Sequence, residues 1–362
     1  IAILETPAGF ELNSRQVAER VADFLSVRLQ NYQPQIDIVP ARKRNTAFSP
    51  DDLDVLKPLL TANLFFMGAG SPTYAVRQLT ASLAWDILRA RHRMGAALVF
   101  ASAATLAAAM STDVVPALDV VLPLAVRDYS GQCSTISIQN TNTTASAVAT
   151  VEFTRTGESA ATTTRDYTIR RGTSVTLRTC EDPELMAYLP PGFLGSMRVR
   201  SRDGSTKFAV SSFVTLTRPG QEKAVYAFEG VPIENGATTL YAPLFRKRQA
   251  LSGGAVGVTG ISVLNTSGSS ADVTVEYHPV VTAACPSGDP VTERKQIAGS
   301  SSVVFYQGVG PVRDGCYGSA RITSDERILA VVNDSVNRGG VNNTEAAAYN
   351  AFAPDRAGTF VA

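Results

Sequence analysis

A β unit is written twice in this chain, and that duplication restricts the fold more than any other feature. Ser134-Thr-Ile-Ser-Ile-Gln-Asn-Thr141 is answered by Thr259-Gly-Ile-Ser-Val-Leu-Asn-Thr266, and Thr150-Val-Glu-Phe153 by Thr274-Val-Glu-Tyr277. Gly195-Ser-Met-Arg-Val199 returns as Gly318-Ser-Ala-Arg-Ile322, Phe208-Ala-Val210 as Leu329-Ala-Val331, and Tyr226-Ala-Phe228 as Tyr349-Asn-Ala-Phe352. Matched blocks in one order, at an offset of roughly 120 residues, mark an internal repeat. The final Thr359-Phe-Val-Ala362 echoes Thr239-Leu-Tyr-Ala242, as the opening of a third copy would.

Within each copy the pattern is that of half-buried strands. Ile136 and Ile138 alternate with Thr135, Ser137 and Gln139, a period of two that buries one face and wets the other. Asn140-Thr-Asn-Thr-Thr144 and Asn265-Thr-Ser-Gly-Ser-Ser270 supply turn chemistry before the next strands. About seven short strands over roughly 110 residues describe an immunoglobulin-like β-sandwich. The immunoglobulin tryptophan is absent, since the sole Trp is Trp85 in the first half. These Thr-rich units resemble the tandem Ig-like repeats of bacterial surface proteins. The connector Glu229-Gly-Val-Pro-Ile-Glu-Asn-Gly236 is short and restrained by its proline, so the copies are expected to form a semi-rigid rod.

The 4 cysteines all lie in this half: Cys133 and Cys180 in the first copy, Cys285 and Cys316 in the second. One pair per copy is what an intradomain disulfide gives, and disulfides persist in oxidising compartments; four buried thiols are the alternative. No C-x-x-C pair exists and the 2 histidines, His92 and His278, stand apart from the cysteines, so no metal is expected. Carboxylates such as Asp314, Asp325 and Glu326 do not recur between copies as a calcium site between modules would require. Sequons at Asn142, Asn265, Asn333 and Asn342 fall in expected turns or near strand ends.

The first 110 residues or so read differently. Ile1 to Glu5, Ile36 to Val39, Leu64 to Met67 and Ala96 to Ala101 are strand signals. Between them lie helices: one capped by Asn13 with Val17, Val21, Phe24, Leu25 and Leu29 on a face, one starting at Ser49-Pro-Asp-Asp52, and one from Tyr74 to Arg93. Strand alternating with helix predicts a parallel sheet with right-handed crossovers, whose ligands sit beyond the carboxyl ends of the strands. Gly68-Ala-Gly-Ser-Pro-Thr73 and Ala101-Ser-Ala-Ala104 leave those ends, and Ser102 sits where a strand turns into an Ala-rich segment, the place of an elbow nucleophile.

Glu5-Thr-Pro-Ala-Gly-Phe10, Phe66-Met-Gly-Ala-Gly-Ser-Pro-Thr-Tyr74 and Ala97-Leu-Val-Phe-Ala-Ser-Ala-Ala104 resemble the cyanophycinase and peptidase E branch of the class I glutamine amidotransferase-like fold. The resemblance implies Ser102 as nucleophile and Gly68, Ala69 and Gly70 as the oxyanion loop. The family's Gly-x-Ser-Ala-Gly elbow is here Phe-Ala-Ser-Ala-Ala, and no histidine follows Ser102 until His278. A serine without a base is a weak nucleophile, so the domain is expected to be incomplete and inactive.

The predicted fold is therefore multidomain α/β plus all-β: a partial flavodoxin-like parallel sheet over 1–115, then two Ig-like β-sandwich repeats over 121–231 and 238–356, with a third opening at 357–362. A net charge of +1 gives no bias toward nucleic acid, and no apolar run is long enough to span a bilayer. The expected role is an extracellular or bacterial cell-surface structural or adhesive protein, without cofactor, that partners itself or other surface proteins. A secreted serine hydrolase using Ser102, with the sandwiches as accessories, is the alternative.

Overall fold

The structure is a computed structural model and describes residues 1–68, 70–79, 82–100, 115–217, 224–338 and 344–354. It divides into two compact units, Ile1–Asp113 and Val114–Ala362.

The first unit is a small parallel sheet. Its strands are β1 (Ala2–Leu4), β2 (Asp37–Val39), β3 (Leu64–Met67) and β4 (Ala97–Phe100), in the order β2-β1-β3-β4 with every pair parallel. Among the described residues four α-helices lie in the connections: α1 (Ser14–Arg28), α2 (Leu53–Leu56), α3 (Pro72–Leu79) and α4 (Leu83–Arg93). The last two replace the single helix expected from Tyr74 to Arg93. The Ser82 hydroxyl accepts the Trp85 amide at 3.1 Å and so starts a new helix inside the apolar pattern. The start of α2 also differs, because Asp52 rather than Ser49 provides the cap, accepting from the Asp54 amide at 2.9 Å. One side of the sheet holds the core, with Leu4, Val39, Phe65 and Met67 packed against Leu56, Leu59, Trp85 and Leu88. The apolar face of α1 is half-buried at Val17, Val21, Leu25 and Leu29, with Phe24 59% exposed, while Ser14 and Ala18 turn fully inward.

The second unit is antiparallel. Its first repeat comprises β5 (Asp119–Tyr129), β6 (Gln132–Asn140), β7 (Ala147–Arg155), β8 (Thr163–Ile169), β9 (Ser174–Arg178), the short helix α5 (Pro183–Tyr188), β10 (Phe193–Ser201), β11 (Phe208–Leu216) and β12 (Ala224–Glu229). The connector adds β13 (Val231–Pro232). The second repeat comprises β14 (Ala237–Arg246), β15 (Gln249–Ala250), β16 (Ala255–Asn265), β17 (Ala271–Pro279), β18 (Val291–Ile297), β19 (Ser302–Tyr306), β20 (Tyr317–Arg338) and β21 (Thr344–Asn350).

One pairing scheme serves both repeats. β8-β7-β10-β5 form one set and β9-β6-β11-β12 the other. In the second repeat β18-β17-β20-β14 and β19-β16-β20-β21 repeat it, with the continuous β20 replacing both β10 and β11. Alternate residues of both sets close on one core in each repeat, Ile136, Ile138, Val151, Phe153 and Val199 in the first and Ile261, Val263, Val275, Tyr277 and Ile322 in the second.

The register corrects two matches made from sequence. Phe228, not Tyr226, corresponds to Tyr349, since their partners Ser212 and Val332 pair with the matched Ile136 and Ile261. The second concerns Phe208-Ala-Val210. Asn140 pairs with Phe208 and Asn265 pairs with Ile328, so Phe208-Ala-Val210 corresponds to Ile328-Leu-Ala330 rather than to Leu329-Ala-Val331. A slip of one residue exchanges the faces of a strand. Leu329 and Val331 therefore point outward from the second repeat, away from its own core. Both are buried nonetheless, because the first repeat covers them.

Candidate functional site

At the carboxyl ends of the parallel strands, three loops are tied together. Glu5, directly after β1, is fully buried, and its Oε2 accepts from Ser14 Oγ and from Arg42 Nε, each at 2.8 Å. Its Oε1 is buried without a hydrogen-bond partner. The Thr6 hydroxyl donates to the Ala41 carbonyl, after β2, at 2.5 Å, and the Tyr74 hydroxyl donates to the Arg42 carbonyl at 3.0 Å. Burial raises the pKa of that phenol. From the loop after β3, the Ser71 amide donates to the Pro7 carbonyl at 2.8 Å. Gly70 makes this approach with φ +149°, and a Cβ there would lie 2.0 Å from the Pro7 oxygen, so only glycine fits.

Of the residues assigned to catalysis by resemblance, Gly68 and Gly70 stand in this knot of loops, while Ala69 and Ser102 lie outside the described residues. The chain leaves β4 at Phe100, which pairs with Met67, beside the start of the glycine loop. The two histidines have other partners. His92 Nδ1 lies 2.8 Å from the Ala96 carbonyl, at the amino end of β4, and His278 Nε2 lies 2.7 Å from Glu276 Oε1 in the second unit. The groups described at the strand ends knit the loops, with the Glu5 carboxylate held by charge-assisted and hydroxyl hydrogen bonds.

In the second unit the cysteines form two disulfides, Cys133–Cys180 and Cys285–Cys316, with Cα atoms 5.8 and 5.1 Å apart. The first ties the start of β6 to the chain just past β9; the second ties the β17–β18 loop to the start of β20. Asn140 and Asn265 act as a second kind of staple. Each is buried at the end of its strand. Asn140 Nδ2 donates to the Ala145 and Ile169 carbonyls at 3.0 Å each, and Asn265 Nδ2 to Ser269, Ile297 and Ala298 at 2.7, 3.1 and 3.2 Å. The Asn265 amide is thus committed to the fold, and its sequon presents no free nitrogen for a glycan. Asn342 lies outside the described residues.

The feature that sequence reasoning missed is the seam between the repeats. Val121 on the outer side of β5 packs against Leu264 and Leu329 of the second repeat, with Val231 and Ile233 of the connector beside them. Val331 joins the core of the first repeat, and Ala346 and Ala348 of β21 pack there as well. Asn350 Nδ2 donates to the Glu229 carbonyl at 3.1 Å, and the Gly157 amide donates to the Ser302 carbonyl at 3.0 Å. Full burial of one aliphatic side chain contributes roughly 1.5–3 kcal/mol. The repeats therefore lean on each other along a shared apolar seam, and the connector is only one of their links. A signal for this was available: Ile328-Leu-Ala-Val-Val332 is an unbroken apolar run, which a strand needs only when both faces are covered.

Beside the seam opens a cleft of about 270 Å³, lined among others by Glu152, Arg198, Arg200, Leu264 and Thr266. Its charges are already matched, since Arg198 Nε donates to Asp119 at 2.8 Å and Arg200 pairs with Glu152. Among the described residues no cluster of His, Cys, Asp and Glu could hold a metal ion, and no helix is long and apolar enough to cross a membrane.

No protein-family model and no curated protein matches the chain. Among solved structures, a Thermotoga maritima protein designated 1070 is 15% identical, with TM-score 0.27, covering 34% of this chain and 99% of its own. A peptidase from an acI-B1 Actinobacterium is 19% identical, with TM-score 0.27, covering 30% of this chain and 43% of its own length. A mutant of the major pilin from Streptococcus pyogenes is 11% identical, with TM-score 0.16, covering 64% of this chain and 98% of its own. Likenesses this slight carry no argument about function.

Proposed function

We propose that the chain is an extracellular structural or adhesive protein in which two Ig-like sandwich modules, 121–231 and 238–356, form one rigid body. The observation that carries this reading is the pair of disulfides, one in each repeat of a unit whose repeats share an apolar seam. Such bonds last outside reducing compartments. In the first repeat the second strand pairs with the fifth and the third with the sixth, as in an immunoglobulin sandwich, while the first lies beside the sixth; β16–β19, β17–β20 and β14–β20 repeat these pairings in the second. Edge strands such as β8 and β18 offer the backbone groups through which such modules add strands and associate.

A second reading, a serine hydrolase of the cyanophycinase type, is favoured by the tying together of the loops after β1, β2 and β3, with Gly70 set against Pro7. A fluorophosphonate probe on the full chain separates the two. The structural reading expects protease shaving of intact producing cells to release peptides of the second unit, all four cysteines oxidised, and no label on Ser102. Label on Ser102 with turnover of a peptide substrate overturns it, as does a protein found inside cells with reduced thiols.

A further inference from the structure

The seam between the repeats has a counterpart that, among the described residues, is left exposed. On the first repeat, Val121 pairs with Val231 and lies opposite Arg198; on the second, Tyr241 pairs with Phe352 and lies opposite Arg321. The two places are equivalent by register. Val121 is 2% exposed because Leu264 and Leu329 sit on it, whereas Tyr241 is 40% and Phe352 42% exposed. The rim is repeated too. Glu152 stands across from Arg198 in the first repeat, and Glu276 stands across from Arg321 in the second, where Arg321 and Glu276 are paired at 3.3 Å.

We propose that the Tyr241–Phe352 face is a docking surface for a further β-sandwich module bearing an aliphatic outer sheet face like that of Leu264, Leu329 and Val331; this builds on the modular reading above. The internal precedent supplies the geometry, with the second repeat seated on the first as the incoming module would be seated on the second. Aromatic side chains enlarge the apolar area offered there, as interface cores favour. Identical chains do not satisfy the surface. The first repeat carries Ser137, Gln139, Ala209 and Ser211 where the second carries Ser262, Leu264, Leu329 and Val331, so its own outer face is polar. The interface is head-to-tail and extends in one direction only.

The test keeps residues 1–354, replaces 355–362 with a second copy of residues 233–354, and follows hydroxyl-radical oxidation by mass spectrometry. Oxidation of Tyr241 and Phe352 is expected to fall to the level of buried Tyr277, and to return when the appended copy alone carries Leu→Asp at its counterparts of Leu264 and Leu329. Unchanged oxidation of Tyr241 and Phe352 overturns the proposal, and so does protection that persists with the aspartates. A second measurement needs no added module: V121Y with V231F transplants the aromatic pair into the existing seam. Leu264 and Leu329 are expected to stay protected; if they become exposed, the aromatic face does not accept such a partner. Both readouts are independent of where the protein resides, so a failed surface localisation and a failed docking are distinguishable.

Discussion

The two repeats share the pairing scheme of both strand sets yet present opposite outer faces. At matched places the first shows Gln139, Ala209 and Ser211 to solvent while the second buries Leu264, Leu329 and Val331 against its neighbour. Their interiors diverge as well. Where the first core sets Val214 against Ser134, the second sets Asp334 against Thr259, and Arg246 reaches in to pair with the carboxylate. Strand pairing thus tolerates wide exchange of side chains, and what distinguishes one repeat from the other is the company each keeps.

The largest test of this comparison is removal of the disulfides one at a time. Closing loops of 47 and 31 residues stabilises each repeat by about 4 kcal/mol, with the longer loop ahead by only a few tenths. Denaturant melts of Cys133→Ala/Cys180→Ala and Cys285→Ala/Cys316→Ala are expected to show nearly equal losses; a loss confined to one would mean the repeats are not equally dependent on their bonds.

Next comes the buried ion pair peculiar to the second repeat. Arg246→Met leaves Asp334 without its cation and is expected to cost about 3 kcal/mol at neutral pH. Burial already raises the Asp334 pKa, against the pull of Arg246 and the Thr259 hydroxyl, with Tyr349 also near. A raised carboxyl pKa favours the fold below the unfolded value and loses that advantage as pH rises through the folded one. The cost of the substitution is therefore expected to shrink on acidification toward pH about 4, near the ordinary aspartate value. A penalty independent of pH would contradict the assignment.

A sharper contrast lies at the seam. Leu264→Ala is expected to cost about 2–3 kcal/mol and to raise amide exchange along β5 and β16, whereas Gln139→Ala at the matched place should stay within about 0.5 kcal/mol. Equal effects would mean that the seam is not a packed interface.

Part of this was legible in the chain and part was not. The repeat, the parallel sheet and the strand alternation in Ser134 to Asn140 came directly from periodicity. The phase of β20 did not, because Ile328 to Val332 is apolar on both faces and a two-residue period then has no preferred register. The helix expected from Tyr74 to Arg93 hid the Ser82 cap, since a serine inside an apolar pattern reads equally as a surface position. Of the candidate site, Gly70 is explained by its approach to Pro7, a contact between loops more than sixty positions apart that no local pattern encodes.

The smallest expected effect concerns the turn that separates β10 from β11. Asp203 accepts from Ser201 Oγ at 2.7 Å and from the Ser205 and Thr206 amides at 2.8 and 2.9 Å, and these bonds hold its carboxyl well below the usual range. A lowered pKa gives stability that is present above the unfolded value and lost as pH falls through the acid range. Asp203→Ala is expected to loosen this turn slightly, seen as faster amide exchange at Thr206, and to leave β20 untouched. Slowed or unchanged exchange at Thr206 would show that the carboxylate does not hold the turn.

In the second repeat that turn is missing altogether, and its absence has a mechanical meaning. β20 runs for 22 residues without interruption, a contour of about 70 Å at ordinary strand rise. Tension entering at either end of this ribbon is shared in shear among its bonds to β14, β16, β17 and β21. The first repeat has a joint at Asp203, which divides the same path between the separate strands β10 and β11; in a force ramp it is therefore expected to yield before the second repeat.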